Sequence, residues 1–354
     1  MVDALSERQP GAIQGAGLVR NTAIFAVLAA CLVIALIIGI GAGRFSVAPL
    51  RVLELVWQGV VDPSRTLTGM DERIVLLVRA PRVLLAALAG AGLAICGAAL
   101  QGVFRNPLVS PDILGISQGA AFGGALGIML GIWGGPLIAL VFSTGLAGLA
   151  LVGFLSRIDG RSETVTVILS GLVVSSMFAA VVSLLQFVAD PNTSLPAIVY
   201  WLMGSFASAT WERFLTALPG LAGGLVLLWS LRFRLNLLSL EEAEARSLGV
   251  RTERERWLVF AAIAVIVGSQ VAVSGIIGWV GIVIPHAARL VAGHDHRVLL
   301  PASALLGGAF MVVIDTLART VTAAEIPLGV ITALVGAPVF AVLLRRHYRE
   351  RNSE

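Results

Sequence analysis

Histidine, serine and acidic side chains are the groups with which this chain could carry out catalysis or bind a metal. Its four histidines are His286, His294, His296 and His347. None of them belongs to an H-E-x-x-H pattern or accompanies a glycine-framed nucleophile, so no hydrolase is predicted. His294 and His296 form an H-x-H pair, but the flanking Asp295 and Arg297 favour a solvated loop over a metal site. We expect no catalytic residue and no metal ligand.

The sequence also lacks a G-x-x-x-x-G-K-[ST] loop, the element that holds the phosphates of ATP in many motor proteins. Any ATP and its magnesium ion must therefore be bound by a partner protein. We expect no cofactor in this chain itself. The two cysteines, Cys31 and Cys96, lie in apolar stretches without a C-x-x-C pattern, so we interpret them as small buried residues.

The composition indicates which elements position these residues. Hydrophobic residues make up 57% of the 354 residues and charged residues only 13%, and the mean hydropathy is +0.93. Soluble domains carry roughly 25% charged residues, so the chain is predicted to lie in a lipid membrane. The formal net charge of +4 comes from arginines that normally fix membrane orientation, and we expect no nucleic-acid partner.

Windows of about 20 apolar residues predict an all-α membrane protein with about ten transmembrane helices. The windows are residues 21–42, 76–102, 113–131, 136–155, 164–189, 214–231, 257–273, 275–292, 299–318 and 328–344. Arginines are about twice as frequent on one side of these windows, so both termini are predicted to be cytoplasmic. The chain reads as a single transmembrane domain over 1–354, with cytoplasmic tails at 1–20 and 345–354.

The order of the predicted spans suggests a repeat, and one stretch between spans is amphipathic. Residues 76–190 and 257–344 each contain four predicted spans that enter from opposite sides, which suggests an inverted repeat. Residues 43–75 include an amphipathic stretch, VAPLRVLELVWQGV, that we expect to lie at the lipid boundary.

The most polar part of the chain is the predicted cytoplasmic segment 232–256, which we call the coupling segment. Its apolar residues recur at helical spacing, and the pattern predicts two short helices with a turn at Gly249. Glu242 and Arg246 stand four residues apart and can pair on a helix. The segment is either a docking surface for a motor protein or a plain solvated loop.

Several ordered motifs in both halves of the chain resemble the FecCD family of permease subunits of type II ATP-binding-cassette (ABC) importers. These importers carry ferric siderophores, haem, cobalamin and, in some members, molybdate. The matching motifs are R-x-P-R from Arg79 to Arg82, GAALQGVFRNPLVSPDILGISQGA from Gly97 to Ala120, LGV from Leu248 to Val250, GIIGWVGIVIPHAARL from Gly275 to Leu290, DHRVLLPASALLG from Asp295 to Gly307, and EIPLGVITALVGAPVF from Glu325 to Phe340.

The resemblance implies partners and three binding-protein contacts. It implies a homodimer or a paired permease subunit, two cytoplasmic ABC ATPases that bind ATP and magnesium, and an external or periplasmic substrate-binding protein. The family's docking arginines map onto Arg79, Arg82 and Arg319. For Arg319 an i, i+4 ion pair with Asp315 is an equal alternative.

The resemblance also assigns a cytoplasmic gate to Asn106 and Leu108 of the R-N-P-L turn and to Thr164. The predicted pathway runs between the fifth and tenth helices of two subunits, and its walls include Ser175 and Gln186, although the serines of this helix could equally join neighbouring helices. Residues assigned to ATPase coupling are Glu242, Ala245, Arg246, Leu248, Gly249 and Val250. Glu241 stands where the family usually has glycine, which puts the first coupling turn in doubt.

Taken with the resemblance, the sequence predicts an ATP-driven, binding-protein-dependent importer in the bacterial inner membrane. A ferric siderophore is the expected ligand because it is the family's commonest assignment, and haem, cobalamin and molybdate are the alternatives. A secondary carrier would need ionisable residues inside the membrane, and the spans offer almost none beyond Asp315 and His286. An intramembrane hydrolase would need a nucleophile with a base in reach.

Overall fold

The computed structural model describes residues 10–43, 45–62, 66–158, 161–322 and 324–351. In this part of the chain the structure is almost entirely helical. The helices before the coupling segment are α1 (Pro10–Gly41), α2 (Pro49–Val61), α3 (Met70–Arg73), a π-helical turn (Ile74–Arg79), α4 (Ala80–Val103), a 3₁₀ turn (Pro111–Leu114), α5 (Ile116–Met129), α6 (Gly135–Ser156), α7 (Thr164–Val188), α8 (Ser194–Leu202) and α9 (Trp211–Ser230).

The remaining helices are α10 (Arg232–Leu238), α11 (Glu242–Ser247), α12 (Thr252–Ser274), α13 (Val280–Ala292), α14 (His296–Thr320) and α15 (Leu328–Arg351). A hairpin of two short antiparallel strands, β1 (Arg157–Ile158) and β2 (Arg161–Ser162), joins α6 to α7. The predicted all-α class is confirmed.

Seven helical stretches in the described residues are long and apolar enough to cross a membrane, and three apolar helices are shorter. The short ones are Ile116–Met129, Val280–Ala292 and Leu328–Val342. Each of these stretches overlaps one of the windows predicted from the sequence, so the chain is a multi-pass membrane protein. The number of ten spans and the cytoplasmic position of both termini stay predictions.

Helices α4 and α12 form the centre of the bundle. In each of them 78% of the apolar window is buried, compared with 17% for α1 and 33% for α7. Glycines let neighbouring backbones approach α4 closely, as is usual between helices in lipid. A Cβ atom at Gly97 would lie 1.9 Å from the carbonyl oxygen of Gly281 in α13, and one at Gly90 would lie 2.2 Å from the carbonyl oxygen of Gly307 in α14.

Two of the predicted spans begin later than the sequence pattern indicated. Residues 111–114 form a 3₁₀ turn that Gly115 separates from α5, and residues 275–279 are not helical. Gly115 and Gly275 have positive φ angles, which end the regular helix at these points. The Gln270 side chain donates a hydrogen bond to the Gly275 carbonyl at 2.9 Å, and so satisfies backbone that hydrocarbon could not.

The amphipathic stretch of residues 43–75 contains the predicted helix, α2. One of its faces buries Val52 and Leu55, whereas Leu50 and Trp57 are exposed by 81% and 69%. The guanidinium of Arg51 lies 2.9 Å from Asp71 at the start of α3. Helix α2 is thereby tied to the beginning of the longest apolar stretch, Met70–Val103.

Candidate functional site

Five charged residues gather where the start of α4 meets the end of α14 and the loop before α15. We call Arg79, Arg82, Asp315, Arg319 and Glu325 the buried charge cluster. The three arginines are exposed by 6%, 7% and 9%, and Asp315 by 0%. Charges this deep persist only when they are paired and hydrogen-bonded.

Arg82 is the centre of this cluster. Its Nη2 lies 2.8 Å from Asp315 Oδ1, and its Nε donates to the same carboxylate at 2.9 Å. Its Nη1 and Nη2 donate to the two oxygens of Glu325, each at 2.9 Å. This bidentate geometry is the strong form of an arginine–carboxylate contact, and it joins α4 to α14 and to the start of α15.

The other two arginines of the cluster bind the end of α1. Arg79 donates to the carbonyl oxygens of Ile40 and Gly41 at 3.0 and 2.8 Å. Arg319 donates to the carbonyl oxygen of Ala42 at 2.7 Å. The last carbonyls of a helix lack partners within it, so these guanidiniums act as a cap supplied by α14 and by the π-helical turn.

The three arginines that the family resemblance assigned to binding-protein docking all belong to this cluster. The alternative for Arg319, an ion pair with Asp315, is confirmed at 3.4 Å. All three arginines are buried and bonded within the chain, so in this structure they hold helices together. Their contact with a binding protein stays a prediction.

The coupling segment has the predicted form of two short helices followed by a glycine turn. Gly249 has a φ of +81°, and an added Cβ would meet nothing within 4 Å, so the conformation rather than the space requires glycine here. The predicted pair of Glu242 and Arg246 is confirmed at 2.6 Å. Leu248 is 59% exposed, whereas Ala245 is buried. The segment therefore presents an apolar side chain at its outer surface.

Buried contacts fix the position of α11 against α12 and the β hairpin. Arg256 of α12 is 4% exposed, donates to the carbonyl oxygen of Ser162 at 3.1 Å, and lies 3.7 Å from the Glu242 carboxylate. The Thr252 hydroxyl donates to Glu242 at 3.3 Å. These contacts join α11 to a helix of membrane length.

The predicted gate turn directly follows α4. Arg105 has a φ of +51°, and the side-chain oxygen of Asn106 accepts a hydrogen bond from the backbone N–H of Leu108 at 2.9 Å. This bond is a local Asx turn. Leu108 is 53% exposed and projects from the turn. The gate assignment of Asn106 and Leu108 stays a prediction.

The structure brings the gate region and the coupling segment together. A small cavity is lined by Arg105, by Thr164 at the start of α7, and by Glu242 and Ala245 of α11. Thr164 is therefore adjacent to the coupling helix, although 78 residues of sequence separate it from Glu242 (242 − 164 = 78). Asn106 and Leu108 lie beyond Arg105 and do not line this cavity.

The predicted pathway helix, α7, has two distinct faces. Ser175 donates to the carbonyl oxygen of Asp112 at 3.3 Å and so contributes to helix packing, as the alternative for the serines proposed. Gln186 is half-buried. The exposed face carries large apolar side chains that include Leu172 and Leu184. No charged residue lies between Thr164 and Val188.

A network of polar side chains joins the coupling segment to α14. Asn236 of α10 donates to Asp295 at 2.7 Å and accepts from the backbone N–H of His296 at 2.8 Å. The Arg297 guanidinium, with Asn236, holds the pKa of Asp295 well below its usual range. His296 is buried by this packing. In the residues that the structure describes, no group of three His, Cys, Asp or Glu side chains could hold a metal.

These features define a multi-pass helical membrane protein with a helical coupling segment at one end. The chain belongs to the FecCD transport family, whose model matches residues 31–346. It is 44% identical over 321 residues to the molybdate import system permease protein MolB of Haemophilus influenzae, covering 88% of this chain and 92% of the relative.

Two other comparisons also identify permeases of ABC transporters as similar proteins. The hemin transport system permease protein HmuU of Yersinia pestis is 38% identical over 284 residues, which cover 78% of this chain and 84% of the relative. A solved structure described as an inward-facing metal-chelate type ABC transporter matches with a TM-score of 0.82 and 41% identity, covering 92% of this chain and 99% of that one. The chain is thus a permease of an ABC importer, and its family implies ATPase and binding-protein partners.

Sequence reasoning missed three residues of these networks. Glu325 lies inside a family motif, but nothing local shows that it pairs with Arg82, which is 243 residues away. Asn236 and Arg256 look like ordinary polar residues of a cytoplasmic segment. The one signal that could have drawn attention to Arg256 is its place at the first turns of an apolar span, where an unpaired charge would be costly.

Proposed function

We propose that this permease imports a ferric siderophore across the bacterial inner membrane, driven by ATP hydrolysis in two cytoplasmic ATPase subunits. The observation that carries the proposal is the uncharged exposed face of α7, from Thr164 to Val188. A bulky metal chelate passes a surface without fixed charges more readily than a surface that would hold it. The hemin transport permease HmuU and the solved structure described as of metal-chelate type support this class of substrate.

The pathway forms between α7 and α15 of two copies of the chain. Both helices leave apolar side chains exposed, for example Leu172 of α7 and Leu334 of α15, by 62% and 70%. A second subunit would cover these faces and enclose a route between them. Gln186 and Ser175 supply weakly polar groups along α7, and the turn at Asn106 and Leu108 closes the route at the end that carries the coupling segment.

The ATPase binds the coupling segment. Exposed Leu248 fits an apolar groove on a partner, and Gly249 and Val250 shape the turn behind it. The contacts of Glu242 with Thr252 and Arg256 carry a displacement of α11 to α12. Glu242 and Thr164 line one small cavity, which places the start of α7 next to α11. The binding protein docks at the opposite end of the bundle, near the buried charge cluster.

Molybdate is a second candidate substrate because the molybdate permease MolB shares 44% identity over 88% of this chain. The two candidates differ in size and charge, so uptake measurements separate them.

The test is uptake of ⁵⁵Fe-labelled ferric siderophores and of ⁹⁹Mo-labelled molybdate by iron-starved cells that lack this gene, with and without the restored gene. Loss and rescue of iron uptake alone would support the siderophore proposal. Loss and rescue of molybdate uptake alone would overturn it in favour of the second candidate. A Leu248→Asp allele is the matched control, since it should abolish rescue while the permease remains in the membrane.

A further inference from the structure

An open cleft of about 910 Å³ lies beside the start of α12, where the coupling segment ends. Its lining is rich in arginine, with Arg157 from the β hairpin, Arg246 from α11, and Arg251 and Arg254 from the start of α12. Glu253 is the single acidic residue among the described residues that line it. Because Arg246 is paired with Glu242 at 2.6 Å, three guanidiniums face one carboxylate. The cleft is therefore strongly cationic.

A second, apolar groove of about 800 Å³ continues from this cleft. It runs along α6 past Gly153, Phe154 and Leu155, and it shares Arg157 and Trp257 with the cationic cleft. Phe154 is 77% exposed. The two cavities thus form one continuous surface that is charged at one end and hydrocarbon-like at the other.

The surface is built from fixed elements. Strand pairing sets Arg157 opposite Ser162, and the carbonyl oxygen of Ser162 accepts a hydrogen bond from buried Arg256 at 3.1 Å. The floor of the groove is the Trp257 indole, which packs on α6 so closely that a Cβ at Gly153 would lie 3.0 Å from it. The arginines and the groove therefore keep a constant distance from each other.

We propose that this surface binds an anionic phospholipid, with the headgroup phosphate among Arg157, Arg251 and Arg254 and an acyl chain along Phe154 and Leu155. The apolar half lies on α6, a helix of membrane length, and Phe154 near its end is 77% exposed, which suits contact with an acyl chain. Basic pockets next to transmembrane helices attract anionic headgroups, while acyl chains fill adjacent apolar grooves. Because Arg246, Arg251 and Arg254 belong to the coupling segment, the bound lipid also stabilises the position of α11.

The experiment is a titration of the purified full-length chain with dioleoylphosphatidylglycerol and with dioleoylphosphatidylcholine, followed by native mass spectrometry. The expected result is tighter binding of phosphatidylglycerol, by at least tenfold. Each arginine near an anionic headgroup changes binding by about fivefold. The double variant Arg157→Gln, Arg254→Gln should therefore weaken phosphatidylglycerol binding by roughly 25-fold, and each single variant by about fivefold.

The matched control removes the same charge from exposed positions outside the cleft, in Arg20→Gln, Arg345→Gln. It should leave phosphatidylglycerol binding within about twofold of wild-type, since the contribution is local. An equal loss in the control pair, or equal affinity for the two lipids, would overturn the proposal.

A further arm distinguishes lipid from the ATPase. Co-purification of the ATPase is measured in the same double variant. If the ATPase is lost while phosphatidylglycerol binding is unchanged, the cleft is a protein contact and the lipid assignment is wrong. The readout does not depend on the transported substrate, so failure of the uptake experiment would leave this test unaffected.

Discussion

The two ends of the α4–α14 pair use charged residues in opposite ways. At one end, the buried charge cluster places Arg79, Arg82, Arg319 and Asp315 inside the protein, each exposed by less than a tenth. At the other end, Glu242 and Arg246 of α11 form a pair near the surface, in which the Arg246 side chain is 57% exposed, whereas Arg256 of the coupling segment is buried. The first arrangement lies at the start of α4 and the end of α14, and the second lies on α11.

The difference separates what holds the bundle together from what is available to partners. A buried ion pair is costly to break because the remaining charge is left without water. An exposed pair on a helix contributes only about 0.3–0.5 kcal/mol and can exchange its partner readily. The cluster therefore fixes α1, α4, α14 and the start of α15 relative to each other, while the coupling segment stays open to an ATPase.

Removal of the Asp315 carboxylate should lower the free energy of unfolding more than any of the other substitutions. In Asp315→Ala, Arg82 and Arg319 lose a carboxylate that lies 2.8 and 3.4 Å away and stay buried. We expect the free energy of unfolding to fall by about 3–5 kcal/mol, measured by chemical denaturation in mild detergent. Glu54→Ala, which breaks an exposed pair with Arg51, is the control and should change it by less than about 0.5 kcal/mol. Equal effects of the two changes would refute the distinction between the ends.

The connection between the two ends can be tested at the contact of α4 with α14. In Gly90→Ala the new methyl group would lie 2.2 Å from the Gly307 carbonyl oxygen and 2.5 Å from Met311, so the helices must separate. A loss of about 1–3 kcal/mol in the free energy of unfolding is expected from such overpacking.

The control is Gly223→Ala in α9, where an added Cβ meets nothing within 4 Å. Alanine favours a helix over glycine by about 1 kcal/mol, so this variant should be at least as stable as wild-type. Destabilisation of both variants to the same degree would show that glycine is needed for reasons other than the close contact.

A smaller effect is expected for Asp295→Asn, which keeps the N-cap of α14 but removes its charge. The pKa of Asp295 is lowered in the folded state, chiefly by Arg297. The carboxylate therefore stabilises the folded state fully above its unfolded pKa of about 4. This contribution is lost as the pH falls through the folded pKa. We expect the variant to be about 1 kcal/mol less stable at pH 7. The difference from wild-type should shrink when unfolding is measured below about pH 4; a difference independent of pH would contradict this account.

The smallest effect on stability is expected at the exposed end. Leu248→Asp changes a side chain that is 59% exposed, so the free energy of unfolding should stay within about 0.5 kcal/mol of wild-type. Co-purification of the ATPase should nevertheless be lost, because a carboxylate cannot enter an apolar groove without a partner. Val321→Asp, which changes a residue 63% exposed at the opposite end of α14, is the control and should retain the ATPase. Retention of the ATPase by Leu248→Asp would remove Leu248 from the interface.

The sequence predicted the helical bundle well because apolar windows and helix periodicity are local properties. The coupling segment was predicted for the same reason: Glu242 and Arg246 stand four residues apart, and Gly249 marks the turn. The exact starts of α5 and α13, at Ile116 and Val280, could not be fixed from the pattern. Such breaks depend on distant contacts, for example the approach of Gly275 to the Trp201 carbonyl oxygen, to which an added Cβ would come within 2.1 Å.

The contacts of Arg82 in the buried charge cluster, in contrast, were not predicted from the sequence. Arg82 and Asp315 are 233 residues apart, and their contact depends on the packing of α4 against α14. The docking role of Arg79, Arg82 and Arg319 was assigned through the family resemblance, and it stays a prediction. The burial of Arg79 and Arg82 is decided by tertiary packing, which the local motif does not show.

The sequence positions of these contacts also set the order in which they can form during synthesis. The carbonyl partners of Arg79, Ile40 and Gly41, precede it in the chain. Asp315 is made 233 residues after Arg82, which at roughly 5–20 residues per second takes on the order of 10–50 s. Helix α4 can therefore contact α1 as soon as both helices are made, whereas Arg82 cannot meet Asp315 until α14 has been made. Closure of the bundle must await the last helices to leave the ribosome.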